Sequence, residues 1–283
     1  MRRLVLIIAL IAGVLRLDAQ EKDLDFLFYL ASKGYHEEVV HLCQMDAAPG
    51  LGSYALDSLR YIHGWSLYSL KRLGPSTASL AQVSPSSPFY PKARLFAAYN
   101  EVYLGEYSQA RSLLSDMVHR DSVSASLGHF LRAGMFLLEG DMDDFDRQFG
   151  KVDTSFYGVQ REAARMKQHA LEMQDHRQRS PFVAGMMSAI VPGAGKVYAR
   201  KPLQGLSAFI TVAGLGMVTL ENYRKLGPEN IKTLAFGAAF SVFYIANIYG
   251  AVFSVRLAEQ EFQDEYRNKI LFDLHIPLRT VYN

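Results

Sequence analysis

The chain has 283 residues, with 30 Lys and Arg against 28 Asp and Glu and a formal net charge of +2. This balance excludes the dense basic surface on which nucleic-acid binding depends, so no nucleic-acid partner is expected. The single cysteine, Cys43, excludes an internal disulfide and a cysteine-rich metal site, and we expect it to be a small buried side chain.

The N-terminus has the pattern of a signal peptide. Arg2 and Arg3 precede an uninterrupted apolar run over residues 4–14. A run of this length suits a signal-peptide core and is too short to cross about 30 Å of hydrocarbon. The sequence therefore predicts a signal peptide over residues 1–20. An uncleaved anchor is the alternative, and it leaves the next domain on the same outer side.

Residues 21–179 are predicted to be helical, because apolar residues recur at three- and four-residue spacing. Four passages share an apolar helix end, a glycine and a polar helix start, and their glycines are Gly34, Gly74, Gly105 and Gly140. The intervals between them are 40, 31 and 35 residues, near the period of about 34 that is typical of stacked helix pairs.

The third passage resembles a tetratricopeptide repeat. Ala98 matches the small residue at the helix crossing, Gly105 the turn, and Tyr107 and Ala110 the start of the second helix. In the other passages Val39, Ser79 and Phe145 take the place of the alanine. The resemblance implies an all-α fold that begins with a tetratricopeptide-like helical solenoid.

A solenoid of this kind has a concave groove that normally binds another protein. The candidate partner-binding residues are Trp65, Tyr68, Tyr99 and Tyr103, because Tyr and Trp combine a large contact area with a polar tip. The alternative is that these aromatics form the core between repeats. Residues 84–91, rich in Ser and Pro, are predicted to be a loop, and His169 and His176 are expected on a solvated helix surface.

Residues 180–256 are predicted to be a membrane module. The stretches 203–220 and 233–255 contain no charged residue and are each long enough to cross a bilayer. The preceding stretch, 181–199, is apolar but broken by Pro192 and glycines, so we expect an interfacial or re-entrant segment. If it also crosses, the tail 257–283 lies on the opposite side from the repeats; otherwise both lie on the same side.

The module also resembles a family of bacterial membrane domains that follow signal peptides and tetratricopeptide-like regions, and it is distantly similar to the two-span TM2 domain. The matching residues run from Ser188 through Pro192, Gly193, Gly195, Lys196 and Tyr198 to Ala199, and continue with Gly205 and 247–251. That family has no established activity, so the resemblance implies architecture and a place in the cell envelope.

Within the second span, Ala246, Gly250 and Ser254 form a stripe of small residues along which membrane helices can approach closely. We expect this stripe to pack on the first span, and self-association into a homo-oligomer is the alternative. Asn247 is expected to form an interhelical hydrogen bond. The candidate membrane-packing residues are Pro192, Gly193, Gly195, Lys196, Tyr198, Gly205, Ala246, Asn247, Gly250 and Ser254.

The sequence contains no known constellation of catalytic residues, so no enzymatic activity and no cofactor or metal are expected. The acidic cluster at 141–146 is predicted to begin a helix. The favoured hypothesis is a non-enzymatic scaffold in the bacterial inner membrane, with its periplasmic repeats bound to a protein partner. The alternative is a membrane component that handles lipid or a small solute through residues 192–196 and Asn247. A third and weaker hypothesis is a hydrolase that acts on envelope polymers.

Overall fold

The structure is a computed structural model that describes residues 24–45, 52–118 and 121–282. Helices and short connections account for these residues, with no strand among them, which confirms the predicted all-α fold class. The chain forms two compact units. The first runs to Leu171 and also includes the segment from Lys269, and the second runs from Glu172 to Asn268. The predicted signal peptide, 1–20, lies outside the described residues.

The first unit is built from successive pairs of helices, and a short turn joins the two helices of each pair. Neighbouring helices from α2 to α8 pack against one another along the chain. The helices are α1 (24–32), α2 (His36–Met45), α3 (Ser53–Ser69), α4 (Leu73–Leu80), α5 (Tyr90–Leu104), α6 (Tyr107–Ser115), α7 (Ser122–Glu139), α8 (Met142–Phe149) and α9 (Tyr157–Gln174). The acidic cluster begins α8 as predicted, with Asp141 as its N-cap accepting a hydrogen bond from the Asp144 amide at 3.0 Å.

Each of the four helix pairs turns at a residue in the left-handed region. These residues are Gly34, Lys71, Gly105 and Gly140, with φ of 84°, 62°, 84° and 80°. Their spacings are 37, 34 and 35 residues, more regular than the glycine spacing read from the sequence. The prediction that Gly74 makes the second turn is wrong. Gly74 lies inside α4, and Lys71 adopts the strained conformation instead.

The position five residues after each turn is buried in all four pairs. It is occupied by Val39, Ser76, Ala110 and Phe145. Ser76 therefore replaces Ser79 as the second member of this set, and its hydroxyl donates a hydrogen bond of 2.7 Å to the Gly64 carbonyl. Gly64 precedes its turn by seven residues, as Ala98 precedes Gly105. A Cβ on Gly64 would lie 2.6 Å from Leu80 Cγ, so the helix crossing requires a residue without a side chain there.

The last helix supplies part of the core of the first unit. Helix α13 (Ile231–Tyr282) ends in a segment, 269–282, whose buried side chains are Ile270, Leu271, Asp273, Leu274 and Leu278. The end of the chain therefore packs within the first unit. We refer to residues 269–282 as the C-terminal segment.

The second unit contains the apolar helices. Helix α10 (Pro181–Ile190) and the short α11 (Ala194–Tyr198) precede α12 (Pro202–Leu226), and α13 follows. By length and composition, α12 and α13 can each cross a membrane. Only 11% and 22% of their apolar windows are buried within the protein, unlike the core helices of a soluble domain. Helix α10, at ten residues, is about 15 Å long, too short to cross.

Candidate functional site

The four aromatic residues predicted for partner binding divide into two groups. Tyr68 and Tyr99 are buried beneath the C-terminal segment: the Tyr68 hydroxyl is hydrogen-bonded to His275 Nε2, and the Tyr99 hydroxyl donates to the Leu271 carbonyl at 3.4 Å. Trp65 is only partly buried, and Tyr103 is exposed. The chain's own C-terminal segment therefore occupies the surface around Tyr68 and Tyr99 and leaves Trp65 at its edge.

Trp65 lines an open cleft of about 370 Å³ in the first unit. We call it the cation–aromatic cleft, and its main lining residues are Phe28, His36, Tyr61, Trp65, Lys92 and Arg279. The rings lie in a layered group: Tyr61 stacks on Phe89 with centroids 4.6 Å apart and planes 4° apart. Trp65 meets Phe96 edge to face at 5.0 Å. The cleft thus has a rigid aromatic wall.

Two basic side chains bring positive charge to this wall. Lys92 Nζ lies 4.2 Å from the centre of the Tyr61 ring, a cation–π geometry that favours the charged amine, while burial lowers the Lys92 pKa. Arg279 enters from the C-terminal segment. No Asp or Glu lines the cleft, and neither basic residue has a carboxylate partner within the described ranges. Burial also lowers the pKa of His36, which favours its neutral form.

Sequence reasoning missed four residues of this cleft: Phe28, His36, Lys92 and Arg279. They come from α1, α2, α5 and α13, and no local motif relates them. Trp65 and Tyr61 were identifiable as aromatic residues on a predicted helix. Their shared cleft depends on the packing of the C-terminal segment, which periodicity does not reveal.

In the second unit, Asn247 fixes the loop between α10 and α11. Its Oδ1 accepts a hydrogen bond from the Gly193 amide at 3.0 Å, and its Nδ2 donates to the Ser188 carbonyl at 3.2 Å. The Ser188 hydroxyl accepts from the Gly195 amide at 3.0 Å. These bonds satisfy backbone groups that a helix break would otherwise leave unpaired in an apolar setting. Asn247 is therefore fully engaged with the protein through both atoms of its amide.

Three glycines allow this loop to pack closely. A Cβ on Gly193, whose φ is +85°, would lie 2.0 Å from the Gly205 carbonyl oxygen. A Cβ on Gly195 would lie 2.0 Å from the Ala184 carbonyl oxygen, and one on Gly205 would lie 2.6 Å from Val197 Cγ2. The nearest neighbours of Gly193 and Gly195 are backbone carbonyl oxygens, which cannot yield as a flexible side chain could. Gly205 has Gly193 as a second close neighbour, with the Gly193 carbonyl oxygen 2.7 Å from the Cβ position. The glycine pattern serves to lock α11 between its neighbours.

The other predicted membrane-packing residues have varied surroundings. Pro192 is half-buried in the loop, and the Tyr198 hydroxyl accepts from the Ser180 amide at 3.2 Å. Ser254 is buried and donates to the Gly250 carbonyl of its own helix at 2.7 Å. Ala246 is exposed and lines a cleft. The small-residue stripe of α13 thus does not form one continuous packed surface.

The cleft beside Ala246 has a volume of about 550 Å³ and lies between α12 and α13. We call it the Lys196 cleft, after the basic residue that reaches it from α11. Its polar lining is completed by Gln204, Ser207 and Thr211 on α12. Sequence reasoning named Lys196 but missed the three polar residues on α12, although their spacing of three and four residues marks one helix face.

The two histidines expected on a solvated surface both contact carboxylates. His169 Nε2 lies 3.2 Å from Asp273 Oδ2 and His176 Nε2 lies 2.9 Å from Glu259 Oε2, so the expectation is wrong. Both carboxylates belong to α13, whose packing no local pattern indicates. Among the described residues, no three His, Cys, Asp or Glu side chains are grouped as a metal site requires. Cys43 is buried, as predicted.

Comparison of the chain with known protein families, curated proteins and solved structures finds no match. Its function is therefore argued from the geometry of the two clefts and from the apolar helices.

Proposed function

We propose that this protein is a membrane-anchored scaffold in the bacterial cell envelope whose tetratricopeptide-like helical unit binds an acidic segment of a partner protein in the cation–aromatic cleft. The observation that carries the proposal is the combination of Lys92 and Arg279 with the partly exposed Trp65 and the Tyr61 ring, in a cleft that no Asp or Glu among the described residues lines. Aromatic and basic side chains in partly desolvated clefts are the residues that dominate protein binding energy.

The repeat geometry supports a binding role for the first unit. Turn residues recur at intervals of 37, 34 and 35 residues, close to the period of about 34 that is typical of tetratricopeptide repeats. Stacked pairs of this kind present extended surfaces for other chains. The C-terminal segment already lies on one such surface, where it covers Tyr68 and Tyr99. The adjoining cleft is the part of that surface that remains open to a partner.

The apolar helices support the anchor. Helices α12 and α13 have the length and composition of spans and bury little of their apolar surface within the protein. The repeats and the C-terminal segment belong to one compact unit, so they must lie on the same side of the membrane. An even number of crossings meets that condition, and α12 with α13 supplies two. Together with the signal peptide predicted over residues 1–20, this arrangement supports a periplasmic position for both.

Partner binding can be followed by the intrinsic tryptophan fluorescence of the chain. Trp65 is its only tryptophan, and it lines the cleft. We expect peptides that contain Glu or Asp beside an aromatic residue to change the Trp65 fluorescence of the detergent-solubilised full chain, whereas peptides with Gln or Asn in their place should not. Affinity should fall with rising salt, since the attraction is between charges.

Substitutions inside and outside the cleft distinguish binding in the cleft from non-specific attraction between charges. Lys92→Met and Arg279→Met should each weaken the acidic peptide about tenfold, which corresponds to roughly 1.4 kcal/mol. Lys167→Met is the matched control, because Lys167 is exposed on α9 and lies outside the cleft. Equal weakening by all three variants, or fluorescence that no acidic peptide alters, would contradict the proposed site.

The anchor is tested by protease accessibility of the repeats and of a C-terminal tag, which should both be cleaved from the outer side.

A further inference from the structure

We infer that the Lys196 cleft binds the phosphate of an anionic phospholipid in the surrounding bilayer, with the Lys196 ammonium as its main contact. The inference depends on the membrane anchor proposed above and is separate from partner binding. The main observation is the position of the Lys196 ammonium, which the loop between α10 and α11 places between the apolar helices α12 and α13.

The first step is the position of the ammonium group. Lys196 lies on α11, which the Asn247 hydrogen bonds and the close contacts of Gly193 and Gly195 hold in place. Its stem lies along α13 beside Gly250, where a Cβ would be 3.4 Å from Lys196 Cε and 3.7 Å from Nζ. The lysine stem is thus in ordinary van der Waals range of α13 at this position. The scaffold therefore fixes the side chain at the mouth of the cleft.

The second step is the missing counter-charge. Among the described residues, the Lys196 side chain has no hydrogen-bond or ion-pair partner, whereas the side chain of Lys201, five residues on, lies 3.8 Å from Glu261. Residues 181–220 and 231–258 contain no Asp or Glu at all, so the apolar helices hold no carboxylate that could reach the cleft from within these ranges. An ammonium next to hydrocarbon requires an anion, and the phosphate of a lipid is the anion that a bilayer supplies.

The third step is the polar face of α12. The stretch 203–220 has four polar side chains, and three of them, Gln204, Ser207 and Thr211, line the cleft. Polar groups on the lipid side of a span are unfavourable unless they meet a polar partner. The Thr211 hydroxyl donates to the Ser207 carbonyl of its own helix at 2.9 Å, so the Gln204 amide and the Ser207 hydroxyl are the donors that can bind phosphate oxygens beside Lys196. Phe243 and Val212 complete the cleft with apolar surface suited to the acyl chains.

The fourth step is depth. Thr211 lies nine residues after Pro202, about 14 Å along the helix, so the cleft extends from the end of the span into one leaflet. Arg200 lies at that same end and adds positive charge near the headgroup level, whereas the neighbouring Lys201 is paired with Glu261. The site is therefore within reach of a phospholipid whose phosphate lies at the membrane surface.

The test uses the full chain reconstituted in nanodiscs of phosphatidylcholine with a minor fraction of phosphatidylglycerol. We expect native mass spectrometry of the released protein to show phosphatidylglycerol retained above its bulk fraction. Lys196→Met should reduce that retention about fivefold or more, while Lys196→Arg should preserve it. Lys232→Met is the matched control, since Lys232 is an exposed lysine at the start of α13 and does not line the cleft.

A second variant tests the volume of the cleft without changing its charge. Ser207→Leu keeps Lys196 and fills the space beside it, so it should also reduce retention. Unchanged retention in Lys196→Met, or an equal loss in Lys232→Met, overturns the inference. Displacement of the lipid by millimolar inorganic phosphate would show a site for the free anion and would also overturn it. Failure of the protein to enter nanodiscs contradicts the membrane anchor itself, whereas insertion without lipid selectivity contradicts this inference alone.

Discussion

Gly134 on α7 faces Leu274 of the C-terminal segment so closely that a Cβ on the glycine would lie 2.5 Å from Leu274 Cδ2 and 2.9 Å from its Cγ. Leu274 is almost completely buried, so its side chain has no open space into which it could move. The contact joins residues that are far apart in the sequence. It shows that the C-terminal segment packs tightly on α7 within the first unit.

The first prediction concerns this contact. Gly134→Ala should lower the stability of the first unit by about 1–3 kcal/mol, because the added methyl group overpacks a filled core. Thermal unfolding of the full chain in detergent measures the change. Gly74→Ala is the control, since Gly74 lies in helix α4 with no atom within 4 Å of its Cβ position and should be neutral or slightly stabilising. Equal melting temperatures for wild type and Gly134→Ala would show that the C-terminal segment is loosely docked.

The second prediction concerns Asp273, a carboxylate that is almost fully buried in the first unit. It lies 2.6 Å from Arg165 Nη2 and 3.2 Å from His169 Nε2, and its presence raises the Arg165 pKa. Asp273→Asn should destabilise the protein by about 1–3 kcal/mol, toward the lower end of the cost of breaking a buried ion pair, because the Arg165 side chain can still reach water.

Its matched control is Glu37→Gln. Glu37 pairs with Arg72 at a similar 2.7 Å, but both side chains are largely exposed. Exposed ion pairs contribute about 0–1 kcal/mol, so this variant should unfold at nearly the wild-type denaturant concentration. If Glu37→Gln and Asp273→Asn lose the same stability, burial of the C-terminal segment is not the reason for the strength of the Asp273 contacts.

Local sequence patterns identified the glycine turns and the apolar stretches, because both depend on residues that are close together in the chain. Gly34, Gly105 and Gly140 were recognisable as turns because glycine enters the left-handed region without steric conflict. Lys71 was not, since a lysine with positive φ is uncommon and nothing in its neighbours marks it. The apolar stretches of α12 and α13 were also recognisable, because their length and lack of charge are visible without tertiary structure.

Contacts made by the C-terminal segment were not predictable in this way. The hydrogen bond from Tyr68 to His275 joins residues 207 positions apart, and the Asp273 contact to His169 joins residues 104 apart. Side-chain periodicity describes which face of a helix is apolar but not which helix covers it. For that reason the sequence located Trp65 and Tyr68 on a candidate surface and could not tell that one would be open and the other covered.

The third prediction is a dependence of stability on pH. Burial, with smaller contributions from Arg279 and Lys71, lowers the pKa of His275 from its ordinary 6.5 to about 4. Between these values the unfolded chain binds a proton that the folded chain does not, so stability falls as the pH falls from about 6.5 toward 4. His275 is partly exposed, which limits its share to the order of 1 kcal/mol.

The measurement compares the wild type with His275→Gln across this pH range. Burial also lowers the pKa values of His36, His63 and His129, so both proteins should lose stability in acid. The wild type should lose more, and the difference between the two curves isolates His275. Parallel curves would mean that His275 is not held in a neutral form against Tyr68.

The last prediction concerns Asn247 and the loop that it holds. Asn247→Leu removes the acceptor for the Gly193 amide and the donor to the Ser188 carbonyl, and it leaves both backbone groups unpaired in a buried apolar setting. The loss should be about 1–3 kcal/mol, seen as a lower melting temperature of the full chain in detergent. The control is Asn222→Leu, since the Asn222 amide is exposed and donates to the Val218 carbonyl of its own helix at 2.9 Å.

Because Lys196 follows this loop, Asn247→Leu should also weaken retention of phosphatidylglycerol, whereas Asn222→Leu should not. A destabilised Asn247→Leu protein that retains the lipid fully would separate the stability of the loop from the position of Lys196.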